Sequence, residues 1–273
     1  MTLYIGDKPV GLCKVVEKII EKEVFKTKYG TSVDTWIGDV NKNGVLQAPT
    51  AQVELNFAGV KEIGANALSQ AFQKRRGIIS VDLSSLQSVG ISGLTGAFFN
   101  CIGITSVNLS SLQSINASGL NGAFQSCTGL TSVDLSSLQS VGASGLYNTF
   151  FNCTGITSMD LSSLQSIGQN GLNGAFQSCT GLTSVDLSSL QSIGQNGLGN
   201  AFNGCTGLTT ISFPSLTDVQ TNSFGSSTLN GTFRNCTALT EIHFRADMQT
   251  TIETLTTYST KFGATNATIY FDL

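Results

Sequence analysis

Cys101, Cys127, Cys153, Cys179 and Cys205 stand 26 residues apart without a slip. Each closes the same phrase: a Leu, then Ala-Phe or Thr-Phe, then two residues, then Cys. A fixed period of this length means one small unit stacked on itself, because such a unit cannot bury its apolar side alone. The phrase from Leu130 to Gly155 serves as the type. In Leu-Thr-Ser-Val-Asp-Leu, the residues Leu130, Val133 and Leu135 point one way. Ser132 and Asp134 point the other, which is the alternation of a half-buried strand. Leu138 and Val141 carry the inward set through a turn. Leu146, Thr149, Phe150 and Cys153 then fall at i, i+3, i+4 and i+7, the stripe of a two-turn helix. Gly155 suits the left-handed residue that ends a helix.

Each unit is therefore expected to run strand, turn, short helix, turn. The stack predicted is an α/β solenoid, a right-handed superhelix with a parallel sheet on one face and short helices on the other. A spine of Phe72, Phe98, Phe124, Phe150, Phe176, Phe202 and Phe233 runs through it. The parallel β-helix is the rival architecture, and the helical spacing argues against it. Counting outward from the regular repeats, Val53 to Phe72 reads as a first, degenerate coil, with Leu55 and Phe57 inward. Leu239, Ile242 and Phe244 repeat the strand after a five-residue insertion around Ser223 to Thr228. Ala267 to Leu273, with Ile269 and Phe271 inward, reads as a closing strand. The expected division is an N-terminal cap or attachment module over 1–50, a solenoid over 51–245 and a C-terminal cap over 246–273.

Charge narrows the partners. Of 273 residues only 11% are charged, the net charge is −3, and no Lys or Arg occurs between Gly77 and Phe233. A repeat face without cations does not hold a phosphate backbone, so nucleic acid is not expected as a partner. No apolar run approaches the ~18 residues of a membrane span. The first residues, Met1 to Lys28, mix apolar residues with Lys and Glu and lack the apolar stretch of a signal peptide. The column cysteines would stack about 4.8 Å apart with parallel Cβ bonds, a geometry that disfavours disulfides. Buried free thiols are expected instead.

The outward column of the strand reads Asn56, Asp82, Asn108, Asp134, Asp160, Asp186, Ser212 and His243. Asp134, Asp160 and Asp186, flanked by Ser132, Ser158 and Ser184, form the candidate contact stripe. Three carboxylates that close favour a cation or a raised pKa, or else form a solvated acidic stripe screened by salt. His243, the one histidine, lies in the same column, one coil past Ser212. A flat strand face offers no pocket for a Ser-His-Asp relay, so no enzyme activity and no cofactor are expected. Asp39, Asn41 and Asn43, followed by Gly44, match the first half of a calcium loop. Its twelfth position is Thr50, where a bidentate Glu is required, so an Asn-Gly hairpin turn is preferred over a metal site. The Gln column, Gln87 to Gln191, is expected to tile the sheet edge through side-chain amides.

The phrase GLxxAFxxCxGLTSVxLSSLxxIG resembles the BspA-type leucine-rich repeat across roughly residues 53 to 245. That resemblance implies a binding protein exposed at a bacterial surface or secreted, its partner a protein or glycan on another cell or particle. The family's proline after the strand is mostly Ser here (Ser84, Ser110, Ser136, Ser162, Ser188) and returns at Pro214. The opening Met1-Thr-Leu-Tyr-Ile-Gly6, with the Asp39 to Pro49 hairpin, resembles leaders of prophage-encoded structural proteins. That resemblance implies a tail or receptor-binding component as the alternative.

Overall fold

In the computed structural model the described residues are 2–5, 8–11, 52–57, 59–226, 231–255 and 258–273. Two rows of parallel strands and one row of turns wrap a single core. The first row holds the Ser-Val-Asp strands, from Val53–Asn56 and Ile78–Asp82 to Glu241–Phe244 and Thr268–Phe271. The second holds seven two-residue strands, Glu62–Ile63 to Asp218–Val219, hydrogen-bonded without interruption. In both rows each residue of a regular coil pairs with the residue 26 further on, as Val107 with Val133 and Val141 with Ile167. Strands Thr2–Ile5 and Lys8–Gly11 form an antiparallel pair, and the former adds antiparallel to Val53–Asn56 at the N-terminal edge.

The Phe spine is in file. From Phe72 through Phe98, Phe124, Phe150, Phe176 and Phe202 to Phe233, neighbouring rings lie 5.2–5.8 Å apart, tilted by 4–9°. All but Phe72 at the first coil are inaccessible to solvent. Each stacked pair adds about 0.5–1.5 kcal/mol beyond the area it buries.

The third side departs from expectation. Where a helix was expected on each coil, the described residues form consecutive turns. Three positions per coil, four residues apart, take left-handed backbone: Ser92, Gly96 and Asn100 in one coil, Ser118, Gly122 and Ser126 in the next, Ser144, Asn148 and Asn152 after that. Such residues interrupt an α-helix at every turn. Backbone donors then alternate in direction. Ala97 N–H donates to Leu94 O at 3.0 Å within its coil, whereas Phe98 N–H donates to Ala123 O at 2.8 Å in the next. The spacing of Leu94, Ala97, Phe98 and Cys101 is thus real, but four-residue turns produce it. The architecture is a parallel-strand solenoid, with turns where the helical face was placed.

Gly155 is also reassigned. It is not left-handed; Asn152, three residues earlier, is, at φ 59°. A Cβ on Gly155 would sit 2.8 Å from Leu130 O, and on Gly181 2.6 Å from Thr154 O. These glycines are required because successive coils approach backbone to backbone.

The thiols explain their column. Cys153 Sγ donates to Phe124 O at 3.1 Å, and Cys101, Cys127, Cys179, Cys205 and Cys236 repeat the contact onto the Phe carbonyl of the preceding coil. All six are buried and free. Burial pushes Cys179 and Cys236 up to about 12, and it drives Cys127, Cys153 and Cys205 upward as well. Thr149 and Thr232 replace the Ala before Phe, and each satisfies its buried hydroxyl on the preceding coil, at Leu120 O and Leu198 O.

At the C-terminal end Phe213, Phe224, Phe244 and Phe262 form a second aromatic cluster, with Phe224 and Phe262 4.6 Å apart. A 3-10 turn (Ala246–Met248) and a short α-helix (Gln249–Glu253) lead to the strand Thr268–Phe271, which pairs parallel to Glu241–Phe244. No helix among the described residues is long and apolar enough to cross a membrane.

Two outcomes follow for stability. Gly194→Ala, whose Cβ would lie 2.9 Å from Gln169 N, should destabilise by about 1–3 kcal/mol in urea unfolding. Gly64→Ala occupies the same column of the first coil, where a Cβ would meet nothing within 4 Å, and should be near neutral. The six column thiols should resist alkylation at pH ~8 until denaturant is added, because the thiolate is the reacting form. Rapid native labelling of Cys153 or Cys179 would contradict the burial described.

Candidate functional site

The Ser-Val-Asp row places Ser132, Ser158, Ser184, Asp134, Asp160 and Asp186 at the surface, all exposed. Each aspartate leaves its strand into a turn, and there its carboxylate has local work. Ser136 N–H donates to Asp134 Oδ1 at 3.1 Å, Ser162 N–H to Asp160 Oδ1 at 2.9 Å, and Ser188 N–H to Asp186 Oδ1 at 2.8 Å. These are side-chain-closed turns of the kind Asp and Asn favour. Asn108 closes the same turn on Ser110, so the turn needs the oxygen and not the charge. The remaining oxygen, Oδ2, is left for solvent or a partner. Hydrogen bonds from Ser162 hold the Asp160 carboxyl below the usual range.

The stripe is not one continuous ladder. Asp160 and Asp186 are register partners in a hydrogen-bonded strand pair, while Asp134 pairs with Asn108 in the neighbouring group of strands. The row divides again between Asp186 and Ser212. Among the described residues no group of three or more His, Cys, Asp or Glu converges closely enough to hold a metal ion. Asp39, Asn41 and Asn43, with the hairpin proposed around them, lie outside the described residues, as does most of the segment carrying the phage-like resemblance.

His243 sits apart from the aspartates, at the C-terminal end of the row. Its strand pairs with that of Ser212, and Ser212 is its register partner. Both ring nitrogens face carboxylates: Nδ1 is 2.9 Å from Asp272 Oδ1, and Nε2 is 3.5 Å from Glu241 Oε2. Only the imidazolium donates at both ends. The ring also stacks on Tyr270, 4.8 Å away at 13°. Burial pulls the His243 pKa down, but the hydrogen bonds and charges of Asp272 and Glu241 outweigh it, and the net direction is upward from 6.5. His243 therefore ties the closing strand to its neighbour.

The other candidates fall into structural roles. Ser223, at the start of the insertion, is buried, and its hydroxyl donates to Ile193 O and Gln220 O. Phe224 belongs to the aromatic cluster, and 227–230 lie outside the described residues. The Gln column is exposed, and its ladder is made by backbone, as in Gln139 N–H to Gln113 O. Reading the columns missed one further site. A half-open hollow of ≈ 350 Å³ lies where the last coil meets the C-terminal segment, lined by residues including Arg234, Asn235 and Asn266. Arg234 is the first cation after Arg76 in the sequence, which was the available signal.

A family model described as the BspA type leucine-rich repeat region, six copies, matches residues 52–149 and 94–230. The chain belongs to this family. Among solved structures, an internalin (inlF) from Listeria monocytogenes str. 4b F2365 is 17% identical over 74% of this chain, with a TM-score of 0.25. The chain spans 63% of that structure's length. No curated protein matches the chain.

The His243 pair gives a pH dependence of definite sign. A folded-state pKa raised above the unfolded value stabilises fully below pH ~6.5, and the contribution is lost as pH rises through the folded value. The melting temperature, followed between pH ~5 and ~8, should fall toward the alkaline end. Asp272→Asn should shrink that slope and His243→Gln should abolish it. An unchanged slope in His243→Gln would assign it to another group.

Proposed function

We propose that this BspA-type repeat protein is a non-enzymatic recognition scaffold, acting in adhesion at a bacterial surface or after secretion. Its Ser-Val-Asp face would contact a protein or glycan presented by another cell or particle. One observation carries the reading. Coil after coil, the face repeats one polar pattern, in which an exposed Ser and an exposed carboxylate oxygen stand on rigid backbone at a common height. Such a face loses little side-chain entropy on binding. Its repetition matches a ligand that is itself repetitive, or one held through many weak contacts at once.

The Asp turns decide how this is tested. Charge reversal would remove the turn acceptors together with the charge. Asp134→Asn, Asp160→Asn and Asp186→Asn combined keep the acceptor, as Asn108 does natively. The triple variant should melt within a degree or two of the parent (a change of ~0.5 kcal/mol or less) and should lose at least about tenfold in affinity, roughly 1.4 kcal/mol, for a partner found by glycan array or by capture from host-cell lysate. Full retention of binding would exclude the aspartate stripe as the contact surface.

A further inference from the structure

We propose that the hollow between the last coil and the C-terminal segment binds an acidic sugar, its carboxylate held by Arg234. The site lies away from the Ser-Val-Asp face, and its success or failure leaves the reading of that face unaffected.

The first argument is an uncommitted cation. Among the described residues the Arg234 guanidinium has no hydrogen bond or ion pair, whereas Arg245 is engaged twice by Asp247, at 2.9 and 2.6 Å. Arg234 is half-buried. A guanidinium in a partly enclosed hollow meets a carboxylate with two parallel hydrogen bonds, in a setting where water competes less than at open surface.

The second argument is the company it keeps. The wall around Arg234 is built from Asn235, Thr237, Thr265 and Asn266, together with Gly263. Amides and hydroxyls supply donors and acceptors in several directions at once, as a polyhydroxylated ring requires. Cys236 and Thr260 complete the wall, and the carbon atoms of these side chains leave apolar surface for the C–H face of such a ring. Asn235 is partly committed, because its Nδ2 donates to Asn203 Oδ1 at 3.1 Å. That bond fixes the amide and leaves its carbonyl oxygen as an acceptor for a sugar hydroxyl.

The third argument is rigidity. Gly204 N–H donates to Arg234 O at 2.8 Å from the coil beneath, and Phe233 N–H donates to Phe262 O at 2.9 Å from the segment above. Lys261, Phe262 and Gly263 are successive left-handed residues, and Phe262 is fully buried in the aromatic cluster. Left-handed backbone at a bulky residue persists only where its surroundings hold it. A Cβ on Gly263 would lie 2.9 Å from Arg234 N, so this segment is seated directly on the Arg234 backbone. The backbone that carries the cation is thus held in place before any ligand arrives, and a carboxylate would supply the partner the guanidinium lacks.

The test uses calorimetric titration of the full chain with glucuronate and with N-acetylneuraminate, against glucose and acetate as controls. Binding by at least one acid sugar is expected, with glucose and acetate each much weaker. Arg234→Gln should weaken the acid sugar by about tenfold or more, while Arg234→Lys, which keeps the charge but loses the fork, should fall between the two. The melting temperatures of both variants, compared with the parent, verify the fold. Asn266→Ala, at an exposed position, supplies an independent loss of affinity. Failure of both acid sugars to bind at millimolar concentration overturns the proposal. So does equal binding of glucose and glucuronate, acetate binding as tight as glucuronate, or undiminished binding by a folded Arg234→Gln variant.

Discussion

Backbone hydrogen bonding between coils is the constraint on which the rest of the structure depends. In each of the three rows, main-chain donors leave their own coil for an adjacent one, the next or the preceding. Phe98 does so toward Ala123, Gln113 toward Gln87 and Leu83 toward Asn108. Such bonds form only when successive coils present equivalent residues at equal heights. Equal heights in turn bring identical side chains into contact along the axis. The Phe rings stack, the thiols reach the same carbonyl one coil back, and the glycines permit an approach that a Cβ would block. The period is thus enforced three times over, by main chain, by core and by the glycine column.

Much of this was legible because strand alternation is a simple code. Val133 and Val107 face inward and Ser132 and Asp134 outward, as their order in the chain requires. The Phe spine followed from the period alone. The turn row was misread for a physical reason. A stripe at i, i+3, i+4 and i+7 reports which residues face the core, and a string of four-residue turns satisfies it as well as a helix does. The discriminating signal lay between the apolar positions. Ser92, Gly96 and Asn100, with their equivalents in the coils that follow up to Gly204, belong to the residue types that accept left-handed backbone and resist helix interiors; in the first coil Gln70 and Lys74 take the same backbone without that signal. Reading the apolar positions without the small polar ones between them mistook one periodic structure for another.

The aspartates carry a related lesson. Their column invited a reading in terms of charge, yet in each coil one oxygen closes the turn that follows the strand, and Asn108 serves as well. Local turn chemistry accounts for an Asx residue at that position and leaves the preference for Asp over Asn unexplained by folding. That residue of explanation is what a binding role would occupy. Asp134, Asp160 and Asp186 hold the carboxylate at three successive coils where an amide would close the turn equally, and accept the mutual repulsion of like charges in doing so.

The ends of the stack obey different rules, because there the next coil is missing. At the first coil the Cys position is taken by Arg75, buried within the N-terminal rim. At the last, Phe262 supplies the carbonyl that Phe233 would otherwise receive from another coil, although three successive left-handed residues at 261–263 replace the four-residue spacing of the turn row. Meeting the last coil's hydrogen bonds with a different backbone is how a solenoid ends without exposing its core. It is also where columns stop constraining what a side chain must be. Arg234 and the amides and hydroxyls around it stand at that boundary, and His243 with Tyr270, Glu241 and Asp272 stands at the same boundary on the neighbouring row. In the regular coils a change at one position breaks a file of identical contacts. At the terminal coil it alters one contact only, and that freedom is what allows distinct chemistry to collect there.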